Sequence, residues 1–250
     1  MEWYMVLALL GTGLFAGFIN TTAGGGSMLS LPLLMFLGLP ANVANGTNRV
    51  AVLFQSVVGT HTFRKKKVLD LTSDSRLVLP ALVGSIIGAL IAVEMDVLLL
   101  EKVIAGLMVV MLLLVVIKPG AWVAGHAGIT NPKPTLLQYI LFFFIGVYGG
   151  FIQMGVGFFL LAGLVLGCGY NLVKANAVKV YIILGLTVFT IGIFMYYQQI
   201  DWLAGLILAV GNAVGAWIGV HFTIRGGARY VRIVLILALV IVILNLFGVF

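Results

Sequence analysis

The chain has 250 residues, of which 62% are hydrophobic and 8% are charged. A soluble domain carries about 25% charged residues, so this composition excludes a water-soluble protein. The net charge of +7 does not require a nucleic-acid partner, because lysines and arginines gather in short loops between apolar runs, as is typical of the cytoplasmic loops of membrane proteins. The sequence therefore predicts an all-α polytopic membrane protein.

The first half begins with an apolar stretch that is interrupted at Gly24-Gly25-Gly26-Ser27. The piece that follows, from about Met28 to Leu39, has roughly 12 residues, whereas a helix needs about 20 to cross a bilayer. Such short, glycine-interrupted segments are typical of re-entrant or discontinuous helices. Three full-length helices are predicted after the break, at about 43–63, 76–93 and 97–117.

The second half follows the same plan after a proline-containing linker at 118–135, which is predicted to be cytoplasmic. Its apolar stretch is interrupted around Gly155 and Gly157, and full-length helices are predicted at about 174–196, 202–221 and 230–249. We therefore predict a single membrane domain, 1–250, made of repeat one (1–117) and repeat two (136–250). Each repeat is a broken hairpin plus three transmembrane helices.

An internal repeat in the sequence supports this plan. Residues 13–19 return as 146–152, at a spacing of 133 residues, and Ala44-Asn45 returns as Ala175-Asn176, at a spacing of 131. One two-residue gap reconciles the two spacings. A duplicated apolar chain is typical of transporters that are built from two related halves.

The charges predict that the two halves are inverted relative to one another. The loop at 64–67 contains four basic residues, whereas its equivalent near 196–200 contains none. The next loop of the first half contains Glu94 and Asp96, whereas its equivalent at 225–232 contains three arginines. Since cytoplasmic loops are the basic ones, equivalent loops are predicted to lie on opposite sides. This arrangement places 64–67 inside and both termini outside.

Inversion brings the two helix breaks towards the bilayer midplane from opposite faces. A helix that begins after a break directs its free N–H groups and its positive dipole end into the cavity, and this arrangement binds anions. The polar and glycine residues of the breaks are therefore candidate ligands: Asn20, Thr21, Gly25, Gly26, Ser27, Gln153 and Gly155. The alternative interpretation is that the glycines only permit tight helix packing.

The helix after each break carries a base about one turn inside, Arg49 in the first half and Lys179 in the second. Asn45, Asn48 and Asn176 lie beside these bases in the sequence. A buried base costs several kcal/mol unless it faces a cavity or a partner, and no acidic residue lies nearby in the sequence to pair with either one. We therefore expect an anionic substrate as the partner, with snorkelling to the lipid headgroups as the alternative.

Other chemistry has no support in the sequence. The three histidines are scattered, Cys168 stands alone, and the acidic residues fall at loops or predicted helix ends. The spacings of a metal site and of a carboxylate proton relay are absent. We therefore expect no metal, no cofactor and no enzymatic activity.

Two motifs resemble those of a known family. The segment 16–27 resembles the opening motif of the TauE/SafE sulfite exporter family. Residues 45–49, followed by a basic patch and 68–70, are similar to that family's next signature. The likeness covers essentially the whole chain, although 153–155 departs from the richer polar run of the first half. It implies a bacterial-type inner-membrane permease for sulfur-containing anions such as sulfite or sulfonates.

The sequence thus predicts a secondary transporter that binds a small sulfur oxyanion or organosulfonate at the midplane and works by alternating access. An inside-negative potential of about 100 mV contributes about 2.3 kcal/mol per charge, and this favours export of an anion without a coupled ion. The expected partners are the anion and the lipid bilayer, and a homo-oligomer stays open. Two alternatives also stay open: an anion channel, and a non-transporting membrane assembly or sensor protein.

Overall fold

A computed structural model describes residues 1–71, 75–117 and 134–246, and every regular element in these ranges is helical. A short 3-10 turn, Ser75–Leu77, leads into the α-helix that begins at Val78, and a π-helical turn, Gly163–Gly167, continues the α-helix that begins at Val156. The α-helices are α1 (Trp3–Thr22), α2 (Ser27–Phe36), α3 (Ala41–Lys65), α4 (Val78–Glu94), α5 (Val97–Ile117), α6 (Leu136–Phe151), α7 (Val156–Ala162), α8 (Leu172–Tyr196) and α9 (Trp202–Leu246). The predicted all-helical class and the two predicted helix breaks are confirmed, whereas most of the linker, 118–133, lies outside the described residues.

Four segments of the described chain are long and apolar enough to cross a membrane: Trp3–Thr22, Ser75–Glu94, Leu172–Tyr196 and Trp202–Gly226. Helix α2, helix α6 and the segment Val156–Gly167 are apolar but shorter. Helix α3 is different, because its 25 residues are enough for a crossing but it buries a run of polar side chains between Asn45 and Thr62. Its polar face is therefore turned into the protein and away from lipid.

The last helix differs from the sequence-based expectation. The sequence predicts two helices that are separated by a basic loop at 225–232, but α9 runs without interruption for 45 residues. At 1.5 Å per residue its length is about 68 Å, which is more than twice the hydrocarbon core. The segment contains no proline, and two adjacent glycines are not enough to end a helix. A cluster of arginines marks the membrane surface, but it does not interrupt the backbone.

Glycines allow two close helix pairings, α1 with α9 and α4 with α6. A Cβ atom on Gly17 of α1 would overlap the carbonyl oxygen of Asn212 on α9. Likewise, a Cβ atom on Gly150 of α6 would overlap the carbonyl oxygen of Ser85 on α4. Such small-residue contacts are typical of membrane helices whose backbones pack closely. Each pairing joins a helix of the first half to a helix of the second half.

The same backbone turns recur in the two halves. Among the described residues, a positive φ occurs at six positions that form three pairs, each 131 residues apart: Gly24 and Gly155, Gly38 and Gly169, Lys67 and Gln198. Helices α3 (Ala41–Lys65) and α8 (Leu172–Tyr196) begin and end at the same spacing. The duplication in the sequence is therefore accompanied by a duplication of local backbone conformation.

Gly17→Ala is expected to lower the melting temperature of the purified protein, because the added methyl group must push α1 away from α9. Overpacking of this kind costs about 1–3 kcal/mol. Gly11→Ala on the same helix is the matched control, since a Cβ atom there meets no atom within 4 Å. Thermal unfolding in detergent, followed by tryptophan fluorescence, measures both variants. Equal melting temperatures for the two variants would contradict the close contact.

Candidate functional site

The two helix breaks meet inside the protein. Helix α1 ends at Thr22 and α6 ends at Phe151, and the chain then turns into α2 and α7. A Cβ atom on Gly24 would lie 2.5 Å from the carbonyl carbon of Gly157, so the two backbones touch. Gly24 also has a φ of +100°, a conformation that glycine adopts readily. Non-helical backbone at membrane depth is tolerated only where it is buried in protein or lines a cavity, and this contact buries it.

The glycines of the first break serve packing and also leave backbone donors free. A Cβ atom on Gly26 would overlap the carbonyl oxygen of Ala16, and one on Gly25 would lie 2.5 Å from the Phe158 ring. The packing interpretation therefore holds for these positions. At the same time, no described backbone carbonyl accepts a hydrogen bond from the N–H groups of Gly25, Gly26 or Ser27. The start of α2 thus keeps the unpaired donors that a helix N-terminus has.

Arg49 on α3 caps the carboxyl end of α6 in the opposite half. Its Nη2 donates to the carbonyl oxygens of Gly150 at 2.5 Å and Phe151 at 3.4 Å. Its Nη1 donates to the carbonyl oxygen of Gly149 at 3.4 Å and to Thr190 Oγ1 at 3.0 Å. The guanidinium carbon lies 4.3 Å from the centroid of the Phe194 ring, which is a cation–π contact. Only its Nε has no partner among the described residues.

Lys179 on α8 caps the carboxyl end of α1 in the same manner. Its Nζ donates to the carbonyl oxygens of Asn20 at 2.8 Å and Thr21 at 3.1 Å, and to Asn176 Oδ1 at 2.6 Å. An ammonium group has three donors, so these three oxygens satisfy all of them. The amide Nδ2 of Asn176 is buried and has no partner among the described residues.

These contacts show that the two buried bases have partners within the protein, and their burial excludes snorkelling to the lipid headgroups. Both bases are fully buried, at 0% exposure, so neither side chain snorkels to the headgroups. No acidic residue lies near either base in the sequence, but backbone carbonyls at two helix ends are their partners. The negative end of a helix dipole stabilises a cation there. An anion is therefore not needed to satisfy the donors that these carbonyls occupy.

A comparison with known proteins identifies the family. The model of the family described as "Sulfite exporter TauE/SafE" matches residues 9–246. The chain belongs to the TauE/SafE sulfite exporter family. It is 27% identical to a probable membrane transporter protein, ORF9, of Sinorhizobium, over 95% of this chain and 90% of that protein. It is 26% identical to a probable membrane transporter protein of Haemophilus influenzae, over 91% of this chain and 89% of that protein. It is 28% identical to the probable membrane transporter protein YfcA of Escherichia coli, over 88% and 81%. No solved structure matches the chain.

In this TauE/SafE chain, each broken helix is also tied to the long polar helix of its own half. Asn20 Nδ2 donates to Ser27 Oγ at 3.2 Å and to Gln55 Oε1 of α3 at 3.1 Å. Gln153, the counterpart of Asn20 at the 133-residue spacing, donates from Nε2 to Thr187 Oγ1 of α8 at 2.6 Å. The two breaks are thus held by the same kind of contact.

Sequence reasoning missed several polar residues of this network. Gln55 and Ser56 continue the stripe of Asn45, Asn48 and Arg49 along α3 at helical spacing. The missed residues on the other elements are Ser30, Thr187 and Thr190, which accept or donate hydrogen bonds inside the bundle. Extending each polar stripe by 3.6-residue periodicity would have found the residues on α3 and α8.

All twelve predicted site residues are buried, but they do not all face the meeting point of the breaks. The side chain of Thr21 lies against α9, where its Cβ is 3.2 Å from the position of a Cβ on Gly219. Asn48 Oδ1 accepts a hydrogen bond from Ser30 Oγ at 2.6 Å, so Asn48 ties α3 to α2. Gly155 has a φ of 73° and forms the turn that starts α7.

Arg49→Met is expected to lower the melting temperature by several degrees. The change removes the donors to the Gly149 and Gly150 carbonyls, and a buried unsatisfied polar group costs about 1–3 kcal/mol. The Phe151 carbonyl keeps a donor, because Asn45 Nδ2 also binds it, at 2.8 Å. Differential scanning fluorimetry measures the shift.

The matched control is Arg64→Met, which removes an exposed arginine at the end of the same helix. It is expected to leave the melting temperature within about 1 °C of the unmodified protein, since exposed substitutions cost little. A similar shift for both variants would mean that the carbonyl cap contributes nothing.

Proposed function

We propose that this TauE/SafE chain is a secondary transporter that exports small sulfur-containing anions, such as sulfite or organosulfonates, from a site where the helix breaks meet. The observation that carries this proposal is the convergence of two helix starts, those of α2 and of the segment Val156–Gly167, on the Gly24–Gly157 contact. The N–H groups of Gly25, Gly26 and Ser27 at the start of α2 have no backbone partner among the described residues, and both helix starts carry a positive dipole end. Backbone donors of this kind bind anions without a formal charge.

The electrostatics of the interior support an anionic substrate. Arg49 and Lys179 are buried, and no carboxylate is among the buried polar side chains of the described residues. Their carbonyl partners carry only partial negative charge, equivalent to about half an elementary charge at a helix end. The interior therefore keeps a positive potential, which concentrates anions.

We assign the substrate contacts to three groups of residues. Gly25, Gly26, Ser27 and Gly155 provide backbone donors, while Arg49 and Lys179 provide the positive potential. The remaining proposed residues provide polar contacts or hold the breaks in position: Asn20, Thr21, Asn45, Asn48, Gln153 and Asn176. Asn176 has a donor that is free for a ligand, because its Nδ2 is buried without a partner in the described chain, as is Arg49 Nε.

The proposed mechanism is alternating access by rocking of two inverted halves, 1–117 and 136–250, joined by a cytoplasmic linker at 118–135. Two observations support the duplication: the positive-φ residues recur at a spacing of 131, and the close pairings α1 with α9 and α4 with α6 exchange partners between the halves. The distribution of lysine and arginine supports the inversion. The proposed location is the cell inner membrane, with the N-terminus outside, whereas the uninterrupted helix α9 opposes the outside position predicted for the C-terminus.

The transport test uses purified protein in liposomes loaded with radiolabelled sulfite, sulfate, thiosulfate or a sulfonate. We expect saturable efflux of sulfite or a sulfonate that an inside-negative potential accelerates. Ohmic current that does not saturate would instead identify an anion channel. Absence of flux for every anion would favour a non-transporting assembly or sensor protein.

Asn176→Asp is expected to reduce this flux at least about tenfold, since a carboxylate close to an anion site repels the substrate by several kcal/mol. The new carboxylate keeps the contact with Lys179, so the fold is retained. Asn171→Asp on the same helix is the matched control, because Asn171 caps α8 and aspartate caps a helix equally well. Equal flux from both variants would remove Asn176 from the binding site.

Inversion is tested by cysteine labelling in a Cys168→Ala background. Lys65 ends α3 and Tyr196 ends α8, 131 residues later, and both side chains are exposed. We expect Lys65→Cys to react with an impermeant maleimide only from the cytoplasmic side and Tyr196→Cys only from the outside. Labelling from one common side would refute inverted halves. A tag at the C-terminus, labelled in the same way, shows on which side of the membrane the chain ends after the continuous helix α9.

A further inference from the structure

The carboxyl ends of the broken helices α1 and α6 both hold a cation that belongs to the protein. At the end of α1, three oxygens surround one ammonium nitrogen at 2.6 to 3.1 Å: two backbone carbonyls and the side-chain amide of Asn176. At the end of α6, the carbonyls of Gly149, Gly150 and Phe151 surround the guanidinium of Arg49, and the amide oxygen of Asn45 lies 3.5 Å from Nη2. Asn45 and Asn176 are equivalent in the two halves.

The chemistry of these two oxygen clusters is that of a monovalent cation site. Neutral carbonyl and amide oxygens, without a carboxylate, are hard ligands suited to a singly charged ion. In transporters with discontinuous helices, the coupling Na⁺ binds at unwound backbone carbonyls and at the carboxyl ends of half-helices. In this chain the equivalent oxygens are occupied by a lysine and an arginine.

We propose that Lys179 and Arg49 are tethered cations that take the place of a mobile coupling ion, so that anion transport proceeds without Na⁺ or K⁺. This inference rests on the proposed function and deepens it by defining its ion coupling. In this proposal, side chains of the protein supply the positive charge that another transporter acquires by binding an ion. The site is therefore ready for an anion at any concentration of alkali cation.

The repetition of the arrangement supports a functional role beyond capping one helix. Two different bases, on two different helices, reach carbonyls of the opposite half at equivalent breaks. Each base lies about one turn after an asparagine in its helix, and the side-chain oxygen of that asparagine belongs to the same oxygen cluster. A neutral donor can also satisfy a carbonyl, so the charge of each base is available for a role beyond capping.

The test removes the tethered charge and supplies a free one. Lys179→Ala leaves the three oxygens in place without an ammonium, and propylammonium is the probe that rebuilds it. We expect sulfite flux of this variant to fall about 10- to 100-fold in choline buffer, the effect of losing hydrogen bonds to a charged group. We expect propylammonium to restore much of this flux and to raise the melting temperature of the variant.

The matched control is Lys174→Ala, which lies on the same helix and whose Nζ donates to the carbonyl oxygen of Val68 at 3.1 Å. This variant is expected to respond equally to propylammonium, sodium and choline. The unmodified protein is expected to transport at the same rate in sodium, potassium and choline buffers.

Two results would overturn the inference. One is sulfite flux of the unmodified protein that requires Na⁺ or K⁺, which decides the question even when Lys179→Ala does not accumulate. The other is a folded Lys179→Ala variant whose melting temperature and flux do not respond to propylammonium. If the unmodified protein transports none of the anions, the proposed function fails, but the melting-temperature comparison still decides whether the three oxygens hold a cation.

Discussion

The architecture depends on how a helix can end inside a membrane. A helix that stops in the bilayer leaves its last carbonyl groups without partners, and no bulk water is present to satisfy them. Helices α1 and α6 both end inside the protein, at Thr22 and Phe151. The protein satisfies both ends with a base from a long helix of the opposite half, Lys179 for α1 and Arg49 for α6.

This exchange of partners explains why the two halves of the chain form one unit. Each broken helix depends on a donor from the opposite half, so neither hairpin is complete without the other. The glycine contacts act in the same direction, since Gly17 brings α1 against α9 and Gly150 brings α6 against α4. Polar capping of the helix ends and close packing at the glycines thus both join the two halves.

The sequence was sufficient to predict the helices and their breaks but not the partners of the buried bases. The predicted helix at 97–117 has the observed bounds, and those at 43–63 and 174–196 are within two residues of α3 and α8. Apolar length and glycine position determine these features directly. The partners of Arg49 are backbone carbonyls, which every residue possesses, so no residue type signals them. The predicted break near 225–232 is wrong, because a cluster of basic residues marks the membrane surface but does not by itself end a helix.

The capping arrangement also bears on the sign of the charge that the centre accepts. A full positive charge at each helix end exceeds the partial negative charge of the carbonyls it binds, so each capped end stays net positive. The starts of α2 and α7 add positive dipole ends, and the contact between Gly24 and Gly157 brings these helix starts together. The two capped carboxyl ends and the two helix starts therefore all contribute positive charge. This shared sign underlies the proposed preference of the centre for a small anion over a mobile cation.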